Sequence, residues 1–123
     1  MPLQTLLATG LFISLAAFPS FAADKPPVQK HWMVSGQVQG VGFRAYTYES
    51  ATDLKLVGWV RNLTDSRVEI VVRGPEKDVA ELLKKVKKGP PGGHVDEVKE
   101  AAVDANEKLA DHFEIHDSAV APK

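Results

Sequence analysis

Gly36-Gln37-Val38-Gln39-Gly40-Val41-Gly42-Phe43-Arg44 joins two kinds of periodicity. Before it, residues 30–38 alternate, with Trp32, Val34 and Val38 on one side, which is the patterning of a half-buried strand. After it, Phe43, Thr47, Ala51 and Leu54 recur at helical spacing, and Lys55 sits at the end. A strand that runs through a glycine-bearing loop straight into a helix can turn several backbone N–H groups toward one point. The positive end of the helix dipole favours an anion there. Arg44 adds a planar fork of donors that matches phosphate oxygens. Gly36, Gly40 and Gly42 would allow a tight turn with or without a ligand, and Arg44 alone could be a surface arginine in a helix ion pair. The two together read as a small phosphate cradle.

Outward from this loop, strands and helices continue to alternate. Leu56 to Leu63 (LVGWVRNL) reads as a second strand, Thr64-Asp65-Ser66 as a short turn, and Arg67 to Arg73 (RVEIVVR) as a third strand with Val68, Ile70 and Val72 on one side. The short turn makes strands two and three a hairpin. Pro75 opens a second helix, where its missing N–H is harmless. Glu76 and Asp78 near its start and Lys84, Lys85, Lys87 and Lys88 near its end complement the helix dipole. Val79, Leu82, Leu83 and Val86 form its apolar stripe, and Gly89-Pro90-Pro91-Gly92-Gly93 ends it. Val95 to Val103 is a fourth strand whose broken alternation signals a bulge. Phe113-Glu114-Ile115 is a short last strand, followed by a frayed tail.

The fold class is therefore α+β, a ferredoxin-like split β-α-β arrangement (βαββαβ plus a short terminal strand): an antiparallel sheet with two helices on one face. Right-handed crossovers place the loop after strand one beside the end of strand two, so Asn62 should lie near Arg44.

Composition narrows the function. The chain has 123 residues, 25% charged and 44% apolar, enough for one globular domain. A net charge of −1 offers no broad basic surface for nucleic acid and no polybasic membrane patch. With no cysteine there can be no disulfide, thiolate metal site, iron–sulfur cluster or cysteine nucleophile. Met1 to Ala22 carries no charged side chain, and Leu6 to Ala17 is almost wholly apolar. That run is shorter than the roughly 20 residues needed to span a bilayer. Small residues at Ser20 and Ala22 fit the pattern before a signal-peptidase cut. Residues 1–22 are thus expected to be a cleaved signal peptide, 23–29 a flexible leader, 30–116 the domain and 117–123 the tail. The location is periplasmic or secreted, with no stable membrane association after cleavage.

Gly36 to Arg44, then Gly58-Trp59-Val60-Arg61-Asn62, then Gly89-Pro90-Pro91 and Phe113-Glu114-Ile115, resemble the acylphosphatase family over about residues 30–115. The first two motifs are specific in combination. The resemblance implies a ferredoxin-like α/β sandwich that hydrolyses acyl phosphates to a carboxylate and inorganic phosphate. It implies Arg44 as the phosphate-binding arginine, the loop Gln39, Gly40, Val41, Gly42, Phe43 and Arg44 as the cradle, and Asn62 as the residue that orients the attacking water. Two positions depart from the family pattern. Leu63 stands where Thr is frequent. Ser66 stands where the turn usually has Gly, which strains a left-handed turn.

The residues support this chemistry on their own terms. A carboxylate leaving group, with an ordinary pKa near ~4, departs without protonation, so no general acid is required. Water can be the nucleophile. What remains is to hold the phosphoryl group and stabilise its charge, which one arginine and several N–H groups can do without a metal or other cofactor. Asn62 has no basicity to act as a base but can aim a water. A monomer is expected.

Other features have plainer readings. Trp32 and Trp59 read as packing residues. His112 and His116, in a strand, would lie about 13 Å apart, too far to share one metal ion. Asn62-Leu63-Thr64 is also a glycosylation sequon, and a glycan there would block the site, which favours a bacterial periplasmic setting. Two alternatives stay open. One is a carbamoyl-phosphate hydrolase-like domain akin to the amino-terminal part of hydrogenase-maturation carbamoyltransferases. The other is a non-catalytic anion-binding or protein-interaction module, which would need only the glycines and not Arg44 with Asn62.

Overall fold

The computed structural model describes residues 25–123, so the expected signal peptide and the first two residues of the expected leader lie outside the described part. The chain runs β1 (Val28–Gln37), α1 (Phe43–Asp53), β2 (Val57–Asn62), β3 (Val68–Gly74), α2 (Glu76–Lys88), β4 (His94–Glu100) and β5 (Phe113–Ile115). The strands form one sheet in the order β4-β1-β3-β2-β5. This is the α+β, ferredoxin-like architecture expected, with Trp32 opposite Ile70, Val34 opposite Val68, and Val60 opposite Ile70 on the neighbouring strand.

Alternation explains which face is buried. Trp32, Val34, Val60, Val68, Ile70 and Val72 share one side of the sheet and pack with Phe43 and Ala51 of α1 and Val79, Leu82 and Val86 of α2. Helix α1 lies over β2 and β5, helix α2 over β4, β3 and β1, and the helices touch each other. Leu54 and Leu83 pack at the rim of this core. Acidic side chains open α2 and basic ones close it, each opposing the dipole. Pro75 sits one place earlier than expected, as the N-cap.

Three expectations are corrected here, and a fourth holds. The sheet is mixed, because β5 pairs parallel with β2. β4 ends beside the start of β1, and the chain then crosses to the opposite edge without reversing ends, so β5 starts where β2 starts. β4 stops at Glu100 instead of Val103, since the chain leaves the edge to make that crossing. The expected bulge is present: Gly36 opposes Val95 and Ser35 opposes Glu97, leaving Asp96 as the extra residue. Finally, the tail is pinned and not frayed. Ala119 bridges Leu63, its N–H donates to Asn62 O (3.0 Å), Thr64 N–H donates to Ala119 O (3.0 Å), and Ala121 N–H donates to Thr64 Oγ1 (3.0 Å).

The crossing segment closes over the second face of the sheet. Glu69 is nearly buried there, accepting from Arg61 Nε (2.7 Å) and paired with His31 Nε2 (2.7 Å). His31 Nδ1 donates to Ala102 O (2.8 Å), and Trp59 Nε1 donates to Glu107 Oε2 (2.7 Å), which fastens the crossing to β1 and β2. Trp59 is sandwiched by packing as expected, with the Arg61 guanidinium 4.5 Å from its ring centre and His116 stacked at 5.1 Å.

The β2–β3 turn carries the one departure from family pattern that the backbone registers. Ser66 sits at φ 77, in the left-handed region, where a side chain is strained. Ser66→Gly should raise stability by about 1 kcal/mol. Urea unfolding would read this as a higher midpoint at unchanged slope. An unmoved midpoint would show that the turn tolerates Ser66 without strain.

Candidate active site

β1 delivers the chain into two left-handed steps, Gly40 at φ 77 and Gly42 at φ 79, and Gly42 is the N-cap of α1. A Cβ at either position would meet nothing within 4 Å, so the backbone angle and not crowding is what calls for glycine. The first helical bond runs from Tyr46 N–H to Gly42 O (3.0 Å). The amides of Phe43, Arg44 and Ala45 therefore have no partner within the helix. No side chain caps them, and the first turn of α1 has no acidic residue to compete for them. The result is a row of free donors at the positive end of an eleven-residue helix.

Arg44 is the first charged side chain of that helix. Among the described residues it forms no salt bridge, so the ion-pair alternative for this arginine has no partner in the fold. Asn62 ends β2. Gly40, Gly42, Arg44 and Asn62 line one cavity of about 290 Å³, walled on its apolar side by Val38, Phe43 and Ile115. Asn62 Oδ1 is buried and has no hydrogen-bond partner within the protein. An orphaned buried acceptor is unfavourable unless a ligand or solvent molecule meets it.

The six loop residues singled out from the sequence do not all face this cavity. Gly40, Gly42, Phe43 and Arg44 line it. Val41 packs against the core, with its Cγ2 beside Gly93 of the loop after α2. Gln39 turns its side chain away, and Nε2 donates to Leu63 O (2.8 Å) and Arg67 O (2.8 Å). Ile115 was not foreseen as a lining residue. Its only sequence signal is its place in the short last strand, and its position depends on which edge that strand joins.

With this geometry in place, the comparisons with known proteins are consistent. The acylphosphatase family model matches residues 30–115. An acylphosphatase of Syntrophotalea carbinolica is 52% identical over 69 residues, covering 56% of this chain and 75% of that protein. The crystal structure of acylphosphatase from Bacillus subtilis superposes with TM-score 0.62 at 38% identity, covering 72% of this chain and 97% of that one. The structure of T. kodakarensis HypF superposes with TM-score 0.63 at 32% identity over 76% of this chain, but over only 12% of that much longer protein. The fold and site define an α+β domain with an arginine-bearing anion cradle. The chain belongs to the acylphosphatase family, and it is an enzyme of that family.

The histidines that flank the last strand form a separate cluster. His112 Nε2 lies 3.3 Å from Glu114 Oε2 and His116 Nε2 lies 3.0 Å from Glu114 Oε1, so one carboxylate stands between the two rings. Among the described residues no three His, Asp or Glu side chains converge as a metal-ligand group. His112 Nδ1 also donates to Asp111 Oδ1 (2.9 Å). That bond is the main cause that raises the His112 pKa above 6.5 and lowers that of Asp111. A raised histidine stabilises the fold below its unfolded pKa and loses that effect as pH rises through the folded value. The depressed carboxylate does the reverse on the acid side, so the pair acts between the two titrations. NMR titration should place the His112 midpoint above 6.5 and show it fall in Asp111→Asn. A midpoint unchanged by that substitution would contradict the pairing.

Proposed function

We propose that the protein hydrolyses the carboxyl–phosphate bond of acyl phosphates, giving a carboxylate and inorganic phosphate. The observation that carries this reading is the meeting of three elements at one cavity: free helix amides, Arg44 without a salt bridge among the described residues, and Asn62, whose Oδ1 has no partner within the protein. The amides and Arg44 hold the oxygens of the phosphoryl group and stabilise charge as it redistributes. Asn62 Oδ1 accepts one hydrogen of a water and leaves a lone pair of that water directed at phosphorus. The new oxygen–phosphorus bond forms as the bond from phosphorus to the acyl oxygen breaks, and the electron pair leaves with the carboxylate. The water proton passes to an oxygen of the transferring phosphate itself. Neither a metal ion nor a protein acid or base is needed for that balance. Val38, Phe43 and Ile115 offer the acyl group an apolar wall.

The protein is proposed to work as a monomer and outside the cytoplasm. The uncharged, apolar opening Met1–Ala22 supports export. Intact mass of the exported protein should correspond to cleavage after Ala22, and a retained Met1 in that fraction would contradict it.

Carbamoyl phosphate is a second candidate substrate, as the resemblance to the amino-terminal part of hydrogenase-maturation carbamoyltransferases implies. Comparing turnover of benzoyl phosphate and carbamoyl phosphate separates the two.

The decisive assay is benzoyl phosphate hydrolysis with chelator present. Wild type should retain its activity, while Arg44→Ala and Asn62→Ala should each lose on the order of 10²–10³ in kcat. The wild-type rate should show no bell centred at about pH 7, because no protein acid–base pair takes part. A folded but inactive wild type would overturn the enzymatic reading in favour of an anion-binding module.

A further inference from the structure

The side chain of Gln39 plays no part in the cradle described above, yet among the described residues it is the side chain that hydrogen-bonds the loop to the β2–β3 turn. Its Nε2 is 2.8 Å from Leu63 O and 2.8 Å from Arg67 O. Both partners are main-chain carbonyls, which can only accept, so the side-chain amide must present its NH₂ group here and both hydrogens are used. Leu63 and Arg67 are themselves joined by Leu63 N–H donating to Arg67 O (2.8 Å) and bracket the β2–β3 turn. Leu63 is the residue immediately after Asn62. Gln39 thus ties the loop that carries the phosphate donors to the turn that carries the water-orienting group.

The need for such a tie follows from how Asn62 is held. Its Oδ1 has no partner within the protein, so nothing bonds that side-chain oxygen in place. Its position relies on its backbone: the pairing with Val68 across β3, the Ala119 N–H on its carbonyl (3.0 Å), and the turn beyond it. Of these, the turn is joined to the cradle loop by a side chain, Gln39. Ser66 at φ 77 makes that turn the strained part of the hairpin, where an extra fastening matters most.

Resting on the proposed hydrolysis, we infer that Gln39 is a positioning residue: its side chain fixes the distance between the cradle and Asn62, so it governs the chemical step and leaves phosphate binding to Arg44 and the loop amides. The tie acts through Asn62 and touches neither substrate nor water. Loss of about one ångström of registration between reacting groups can cost on the order of 10² in rate, whereas an anion in the cradle keeps all its donors.

The test uses Gln39→Met, which keeps length and removes both donors, and Gln39→Asn as a milder change if the first folds poorly. The expected result is a kcat at least about tenfold lower, with inhibition by inorganic phosphate changed by less than about twofold. In an Asn62→Ala background the same substitution should cost nothing further, because the residue it positions is gone. NMR of the side-chain amides supplies a readout independent of turnover: with inorganic phosphate bound, the Asn62 resonances should shift or broaden in Gln39→Met. An unchanged kcat, a loss of phosphate affinity in step with kcat, additive effects of the two substitutions, or unmoved Asn62 resonances would each overturn the inference. A wild type that does not hydrolyse benzoyl phosphate would sink the underlying reading instead, and the Asn62 resonances would still decide whether Gln39 positions it.

Discussion

Everything at the candidate site depends on β3 standing between β1 and β2. Both neighbours pair with it antiparallel, so they run parallel to each other and finish at the same end of the sheet. The loop that leaves β1 and the residue that ends β2 are thereby brought together, although Arg44 and Asn62 are far apart in the chain. That pairing is secured by Val34, Val60, Val68 and Ile70, all fully buried on the helix side. A one-residue slip would turn these side chains to the other face and Asn62 with them. The geometry of the site is thus guarded by the core.

On that frame the chemistry needs little. Two glycines turn the chain so that α1 starts with uncapped amides, and one arginine stands free beside them. Leaving helix amides uncapped is unfavourable to the fold, and such donors beside an arginine in one cavity suit an anionic ligand. The remainder of the molecule holds still what this cavity requires. The pinned tail fastens the carbonyl of Asn62, the crossing segment covers Glu69, Arg61 and His31 on the other face, and Gln39 spans the two halves of the site.

Much of this was legible in the sequence for a definite reason. Strand alternation around Trp32 and Ile70 and the helical recurrence of Phe43, Thr47 and Ala51 are side-chain patterns, and side-chain burial is what sequence periodicity records. The nearness of Arg44 and Asn62 followed from connection handedness. What stayed hidden was carried by the backbone or by lone long-range contacts. The parallel pairing of β5 and the anchoring of Ala119 use main-chain groups that every residue possesses. Glu69 lies on the side of β3 that alternation assigns to solvent, and only the crossing segment, which has no periodicity, makes it an interior residue. Gln39 could be read as a loop residue, but its two carbonyl partners lie 24 and 28 residues away and leave no trace in composition.

The central claim is that water, aimed by Asn62, attacks phosphorus. Hydrolysis of benzoyl phosphate in water labelled with heavy oxygen tests it most directly, with both products analysed by mass spectrometry. The account expects the label in inorganic phosphate and none in benzoate. Label in benzoate would mean attack on the acyl carbon, and the cradle would then have to be reassigned from the reacting centre to its leaving group.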